Sequence, residues 1–488
     1  MNTGIDGGRH SEFSERTEAM TTRENDRKGL GTMDQSRAQS RGLASWVSRT
    51  VRDIWNQAFG QSESRTAPVV CQPALGVEPL ERRVLLTAFV VDTNLDNVAA
   101  DGDVSLREAV QAASTNAAVG DAPAGDANGD TIEFNIPDDD AGTGQDTIEL
   151  TLGELSVTDD LEIDGDNQAN GDMTIDAANG SRVFNINTSE TVTLDNGLTM
   201  TNGFSVANGG AIIFAGGGTL NVTGSTVSNS AAGGAGGGIY VDSGTLVVNA
   251  TSVTGNDATT TGGAIHTEGT TTVQNGSSIS GNDAGTDGGG IYTASPLTVD
   301  NATIASNTAS GTGATNGGGG IFNAGGGVVN LNNSANVTNN TADGTLGSGG
   351  GILNMGTLNV DASGINISGN DAERAGGGIE HNSASTLTLD NVTLNNNDAL
   401  GTDATAPGNG GALHITGSAD SNITGATVIG NTAAEEGGGL WNGTGTMTVD
   451  ASSVTGNTAS TTGGGIHNEG TLDILNGSSI SGNNAGTD

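Results

Sequence analysis

A Gly-Gly or Gly-Ala pair stands directly before an isoleucine or leucine ten times in the chain, at Ile212, Ile239, Ile265, Ile291, Ile321, Ile352, Ile379, Leu413, Leu440 and Ile466. The steps between them are 27, 26, 26, 30, 31, 27, 34, 27 and 26 residues, an average of about 28. A sustained period of this length marks a solenoid, in which each unit buries its apolar side only against the units above and below it.

A second mark falls inside each unit, an aliphatic residue three positions before an asparagine. It recurs at Asn256, Asn282, Asn307, Asn340, Asn370, Asn397, Asn431, Asn457 and Asn483, with Ser230 in the same place in the first unit. Between the two marks lies a third short β-branched segment, such as Leu246-Val247-Val248 or Leu358-Asn359-Val360. Three short strands separated by Gly, Asn, Asp and Thr turns make one coil of a parallel β-helix. The chain is therefore expected to be all-β, with three short strands per coil of about 26–30 residues. One coil cannot offset the entropy of ordering its own backbone, so only a stack is stable. Aligned asparagines are expected to bond to one another along the stack.

Charge divides the chain near residue 84. Residues 1–83 hold 12 of the 15 cations and 11 acids, whereas residues 84–488 hold 3 cations and 45 acids, a net of -42. So acidic a body repels polyphosphate, which excludes nucleic acid as a partner. Cys71 is the only cysteine, so no internal disulfide forms. No apolar run is long enough for a membrane-spanning helix.

Residues 1–88 read as a disordered extension. It contains one amphipathic helix at 43–59, where Leu43, Trp46, Val47, Val51, Ile54, Trp55 and Phe59 fall on one face. At 77–88, Arg82-Arg83 precede a short apolar run ending at Ala88, the pattern of an export or sorting signal with cleavage near Ala88. Residues 89–200 form an amino-terminal cap and the first coils. Their one helix begins at Ser105, where Ser105 and Glu108 make a capping box. Residues 201–488 are the glycine-rich repeats. The NGSSISGN motif of residues 275–282 returns at 476–483 without a following glycine mark, so the repeat array is expected to be truncated or to associate end to end.

Val104-Ser105-Leu106-Arg107-Glu108-Ala109 and the later Asp130-Thr131-Ile132-Glu133-Phe134 resemble the Cys-Ser-Leu-Arg-Glu-Ala module of secreted bacterial β-helix proteins, with Val104 in place of the cysteine. The paired marks of residues 205–488 resemble the Gly-Gly-Ala-Ile and Phe-x-x-Asn repeats of polymorphic outer-membrane proteins, with Val, Ile or Leu in place of the Phe. The segment Leu80-Glu81-Arg82-Arg83-Val84-Leu85-Leu86 resembles the amino-terminal signal of large planctomycete surface proteins. These resemblances imply a right-handed β-helix and a secreted, cell-surface or outer-membrane location. They also imply an adhesin-like role.

The residue after each glycine mark carries the most chemistry. In order these are Ile213, Tyr240, His266, Tyr292, Phe322, Leu353, Glu380, His414, Trp441 and His467. Strand alternation sets them opposite the inward aliphatic residue. A stripe of rings on the outer surface is expected, formed by Tyr240, His266, Tyr292, Phe322, His414, Trp441 and His467. It either binds extracellular polysaccharide or a cell-surface component, or stacks to stabilise the rod.

Two functions follow. One is a non-catalytic surface rod that displays and contacts. The other is a polysaccharide lyase or hydrolase, for which Arg374 with Asp371, Glu373, Glu380 and His381 is the only basic cluster in the repeats. A lyase needs a base and cations for substrate carboxylates, and the body has three arginines and no lysine. The expectation is no enzyme, no cofactor and no metal site. Calcium is the one ion considered: the repeat aspartates and Asp126-Ala127-Asn128-Gly129-Asp130 resemble ligand patterns, but turn bonding explains them, and Thr131 stands where a calcium loop needs glycine.

Overall fold

The computed structural model describes residues 87–137, 146–167, 171–402 and 404–487. The expected helix at 43–59 and the signal as far as Leu86 lie outside the described residues. Thr87 and Ala88 belong to the first strand, Thr87–Val91, where they pair with Asp130 and Thr131.

The chain winds as a parallel β-helix. Within a typical coil, Ile239–Val241 lies on the glycine-marked face and Thr245–Asn249 on a long face. Ser252–Thr254 follows on a third face, and Asp257–Ala258 on a short one. The first three are the expected strands. The fourth ladder, of two-residue strands running from Phe204–Ser205 to Asn484–Ala485, occupies what the sequence reads as a turn after each asparagine.

The repeat in sequence is the register in space. Ile239 pairs with Ile265, Ile265 with Ile291, and Ile291 with Ile321, and the column continues through Leu413 and Leu440 to Ile466. Pairing is parallel throughout the repeats. An antiparallel contact joins Asp166 to Asp172 and Asn167 to Gly171 in an early coil.

Strand alternation builds the core. Ile239, Leu246, Val248 and Val253 are all fully buried, and each sits on its counterpart in the next coil. The glycine mark has a separate reason at each position. Gly236 has φ +68°, a left-handed turn that glycine enters without strain. At Gly237 a side-chain carbon would lie 2.5 Å from the Asp257 carbonyl, so the coils can approach only over a bare backbone. At Gly238 the nearest atom is at 2.8 Å, and Ala211 and Ala264 fill the same position in adjacent coils.

The helix Leu106–Thr115 covers the amino-terminal end, burying Leu106, Ala109, Val110, Ala112 and Ala113. Its capping box is complete: the Ser105 amide donates to Glu108 Oε2 at 2.9 Å and the Glu108 amide to Ser105 Oγ at 3.2 Å. Such a cover shields strand edges that would otherwise pair with another chain.

Candidate functional site

The ring column follows the glycine-marked face, and its rings use their faces on one another. Tyr240, His266, Tyr292 and Phe322 form one stack, with centroids 5.0, 4.6 and 5.1 Å apart and planes within 13°. His414, Trp441 and His467 form a second, at 4.2 and 5.9 Å. The rings do lie opposite the core residues, but Tyr240, His266, Phe322 and His414 are buried rather than displayed, at 8, 7, 6 and 7% exposure. Tyr292, Trp441 and His467 stay part-exposed, and the stacking of all seven rings fits the alternative in which the stripe stabilises the coils. Coils repeat at about 4.8 Å, close to stacking distance, so each ring is covered by its neighbours. A sugar that needs a free aromatic face does not find one inside either stack.

Glycine-turn residues hold the ring edges. Thr261 Oγ1 lies 2.8 Å from His266 Nδ1, Thr462 Oγ1 lies 3.0 Å from His467 Nδ1, and Trp441 Nε1 donates to Glu436 Oε2 at 3.3 Å. Burial pushes the His266 imidazolium down to a pKa of about 4. Glu268 Oε1, 3.7 Å away, is half exposed, and water screens its pull. Because the folded value lies below the unfolded one, this stability is complete above about pH 6.5 and is lost as pH falls toward 4, by up to ~3 kcal/mol. His266→Tyr, which extends the adjacent tyrosines, is expected to remove that loss; midpoints of thermal unfolding at pH 7 and 4.5 for both proteins measure it.

Leu353 and Glu380 interrupt the column, and both are buried. His414 Nδ1 lies 2.7 Å from Glu380 Oε2, Thr416 Oγ1 donates to Glu380 Oε1 at 2.5 Å, and Arg374 Nη2 is 3.6 Å from the same oxygen. Arg374 Nε also donates to Ser348 Oγ at 2.9 Å. Burial pushes the Glu380 carboxyl up, but His414, Arg374 and Thr416 together overcome it and hold the pKa below the usual glutamate range. Its stabilisation is present above about pH 4.5 and lost as pH falls through the lowered value. Glu380→Ala leaves buried partners unpaired and is expected to cost about 3–5 kcal/mol. Glu380→Leu, which extends Leu353, is expected to cost less; urea midpoints of the two variants compare them.

His381 does not join this cluster. It is the next residue on the strand and faces the other way, fully buried, with Nδ1 2.8 Å from Asn354 Nδ2 and Nε2 2.8 Å from the Ser385 carbonyl. It belongs to a polar column inside the corner, continued by Asn323, whose Nδ2 donates to Asn354 Oδ1 at 2.6 Å. The sequence reading missed this column. Its signal is the residue two places after the glycine mark, which is Thr267, Thr293, Asn323, Asn354, His381, Asn442 and Asn468 in seven of the coils. Asp371 lies on the short face in register with Asp398.

The asparagine column is continuous. In Asn282 the side-chain amide donates to Asn307 Oδ1 at 2.9 Å and to the Val253 carbonyl at 3.0 Å. Its Oδ1 accepts from the Asn256 amide at 3.0 Å and from Asn256 Nδ2 at 2.9 Å. The same bonds link Asn307, Asn340, Asn370, Asn397, Asn431, Asn457 and Asn483. Ser230 completes the column, its amide donating to Asn256 Oδ1 at 3.0 Å.

Three coils are longer than the rest, and most of the additions lie in one corner. Asn256 to Gly262 is six residues, whereas Asn307 to Gly318 is eleven, Asn340 to Gly349 nine and Asn397 to Gly410 thirteen. Ser348 and Asn409 lie in this corner beside Arg374 and Ala375, joined by backbone pairing.

Aspartates stack in register as Asp257 with Asp283 and Asp371 with Asp398. Burial first, and the like-charged neighbour second, raise Asp257 and Asp371. In Asp126–Asp130 the Asp130 carboxylate accepts from the Asp126 amide at 3.0 Å, closing its own turn. Among the described residues no group of three or more His, Cys, Asp or Glu side chains is arranged to hold a metal ion. No helix of the described residues is long and apolar enough to cross a membrane.

Fold and columns together define a parallel β-solenoid bound by side-chain ladders along its axis. No protein-family profile, curated protein or solved structure matches the chain.

Proposed function

We propose that the chain is a non-catalytic extracellular or cell-surface rod, adhesin-like, whose work is display and contact. One observation carries this reading: the side chains best suited to catalysis are spent on internal bonding. All three arginines of the described residues are ion-paired, Arg107 to Asp96 at 2.6 Å, Arg182 to Glu154 at 2.8 Å and Arg374 to Glu380 at 3.6 Å. Glu380 is fully buried, so it cannot reach a polymer lying on the surface. A lyase acting on uronates needs free cations beside the substrate carboxylates, and the body's net charge of -42 repels such a substrate. The signal-like segment at 77–88, whose last two residues enter the first strand, and the resemblance of the repeats to surface proteins support an exported location.

The experiment is an assay of the full chain on neutral and acidic polysaccharides, reading new reducing ends and unsaturated products. No release is expected. Release that disappears in Glu380→Gln would establish the rival reading, a polysaccharide lyase or hydrolase.

A further inference from the structure

The third face differs from the other three in what it shows to solvent. Each of its strands turns one aliphatic residue inward, such as Val253 or Ile279, and two residues outward. From Thr199 and Thr201 to Ser479 and Ser481 the eleven strands pair in unbroken parallel register, so the outward residues form two columns. Of these 22 positions, 20 are Ser, Thr or Asn, the exceptions being Ala305 and Ile429, and none is charged or aromatic. The hydroxyls of Thr226, Thr254, Thr303, Thr338 and Thr455 have no hydrogen-bond partner among the described residues.

That neutrality is not a general property of outward positions. The short face carries Asp257, Asp283, Asp371 and Asp398, and the long face carries Asp300, Asp390 and Asp450. In a body with 45 acids, two columns free of charge over eleven coils form a strip where a neutral polymer meets no fixed charge. The strip runs for roughly 48 Å along the axis, with rows about 4.8 Å apart and neighbours in a row about 6.6 Å apart. It is a grid of hydroxyl and amide groups two columns wide.

We infer that this third face is the contact surface of the rod and that its partner is the side of a neutral, hydroxyl-rich polysaccharide fibre. This rests on the reading of the chain as a contact rod. Charge selects the partner class: a polyanion is repelled by the rest of the body, and a polycation is drawn to the aspartate-bearing faces instead. Extent selects a fibre, since two columns in unbroken register over eleven coils match the side of a packed bundle of chains, whereas a single chain needs a groove to hold it. Each hydroxyl contact is weak and exchanges with water, so retention comes from many contacts made together.

The test is co-sedimentation of the full chain with microcrystalline cellulose, with chitin and with alginate beads. Thr254→Glu, Thr303→Glu and Asn366→Glu together place charges on alternate coils of the third face. Thr272→Glu, Asn330→Glu and Thr388→Glu together do the same on the long face and serve as the control. Circular dichroism verifies that both triple variants keep the wild-type spectrum. The wild type and the control are expected to sediment with cellulose or chitin and not with alginate, and the third-face variant about tenfold less. Wild-type protein left in the supernatant with both neutral fibres overturns the inference, as does an equal loss in both variants. Loss on Tyr240→Ala with Tyr292→Ala, but not on the third-face variant, also overturns it, by moving the contact to the ring stack. Sugar release from the same fibres would instead sink the non-catalytic reading, and the variants would still map the contact.

Discussion

Asn370→Ala is expected to destabilise the coils around residue 370 by about 3 kcal/mol, because three buried hydrogen bonds to the preceding coil are lost at about 1 kcal/mol each. The Asn340 amide and its Nδ2 both lose Asn370 Oδ1, each at 3.0 Å, and the Val337 carbonyl loses Asn370 Nδ2 at 2.9 Å. Asn397 Oδ1 keeps the Asn370 backbone amide at 3.1 Å, so the damage falls mainly on the preceding coil. Hydrogen exchange followed by mass spectrometry reads this directly. Amides of residues 336–342 should exchange much faster in the variant, while those of the first coils stay protected. Asn370→Ser should fall between, since Ser230 Oγ accepts the Gly203 amide at 3.0 Å in the equivalent place. Uniform protection across the variant would show that the column contributes nothing to coil adhesion.

A second large effect is expected at the glycine mark, where two adjacent positions should respond unequally. Gly237→Ala puts a carbon 2.5 Å from the Asp257 carbonyl carbon and oxygen and still nearer the Gly263 carbonyl, all of them backbone. The coils must separate locally, at a cost of about 3 kcal/mol or more. Gly238→Ala meets its nearest atom at 2.8 Å and joins Ala211 and Ala264 in one column, so its effect should stay within about 1 kcal/mol. Urea unfolding of the two variants side by side measures the difference. Equal destabilisation would mean that the mark is about flexibility rather than close approach.

Much of the fold is legible in the sequence because a solenoid writes its register into its period. Once Ile239, Ile265 and Ile291 are seen to repeat, their pairing follows, since each coil must set its inward residue on the one before. The asparagine column is legible for the same reason. The short face is not, because Asp257–Ala258 has a turn's composition and becomes a strand only through pairing with Asp283–Ala284. The ring column shows a deeper limit. Alternation says which side of the strand Tyr240 and His266 occupy, but not what covers them, and what covers them is each other. The Glu380–His414 pair was within reach, since the two are neighbours in the same column and opposite in polarity. His381 was misplaced beside Glu380 because closeness in sequence on a strand means opposite sides in space.

The coils that differ in length keep the same ladders above and below, because added residues fall in the turns between strands, most of them in the corner between the asparagine and the glycine turn. Excision of one whole winding therefore brings together two surfaces that already match, and insertion of one does the same. Recombination between coils whose columns match, such as those of Ile239, Ile265 and Ile291, needs no compensating change, whereas a junction that separates Glu380 from His414 leaves a buried charge unpaired. The number of windings can therefore change by whole coils wherever the columns on the two sides of the junction agree.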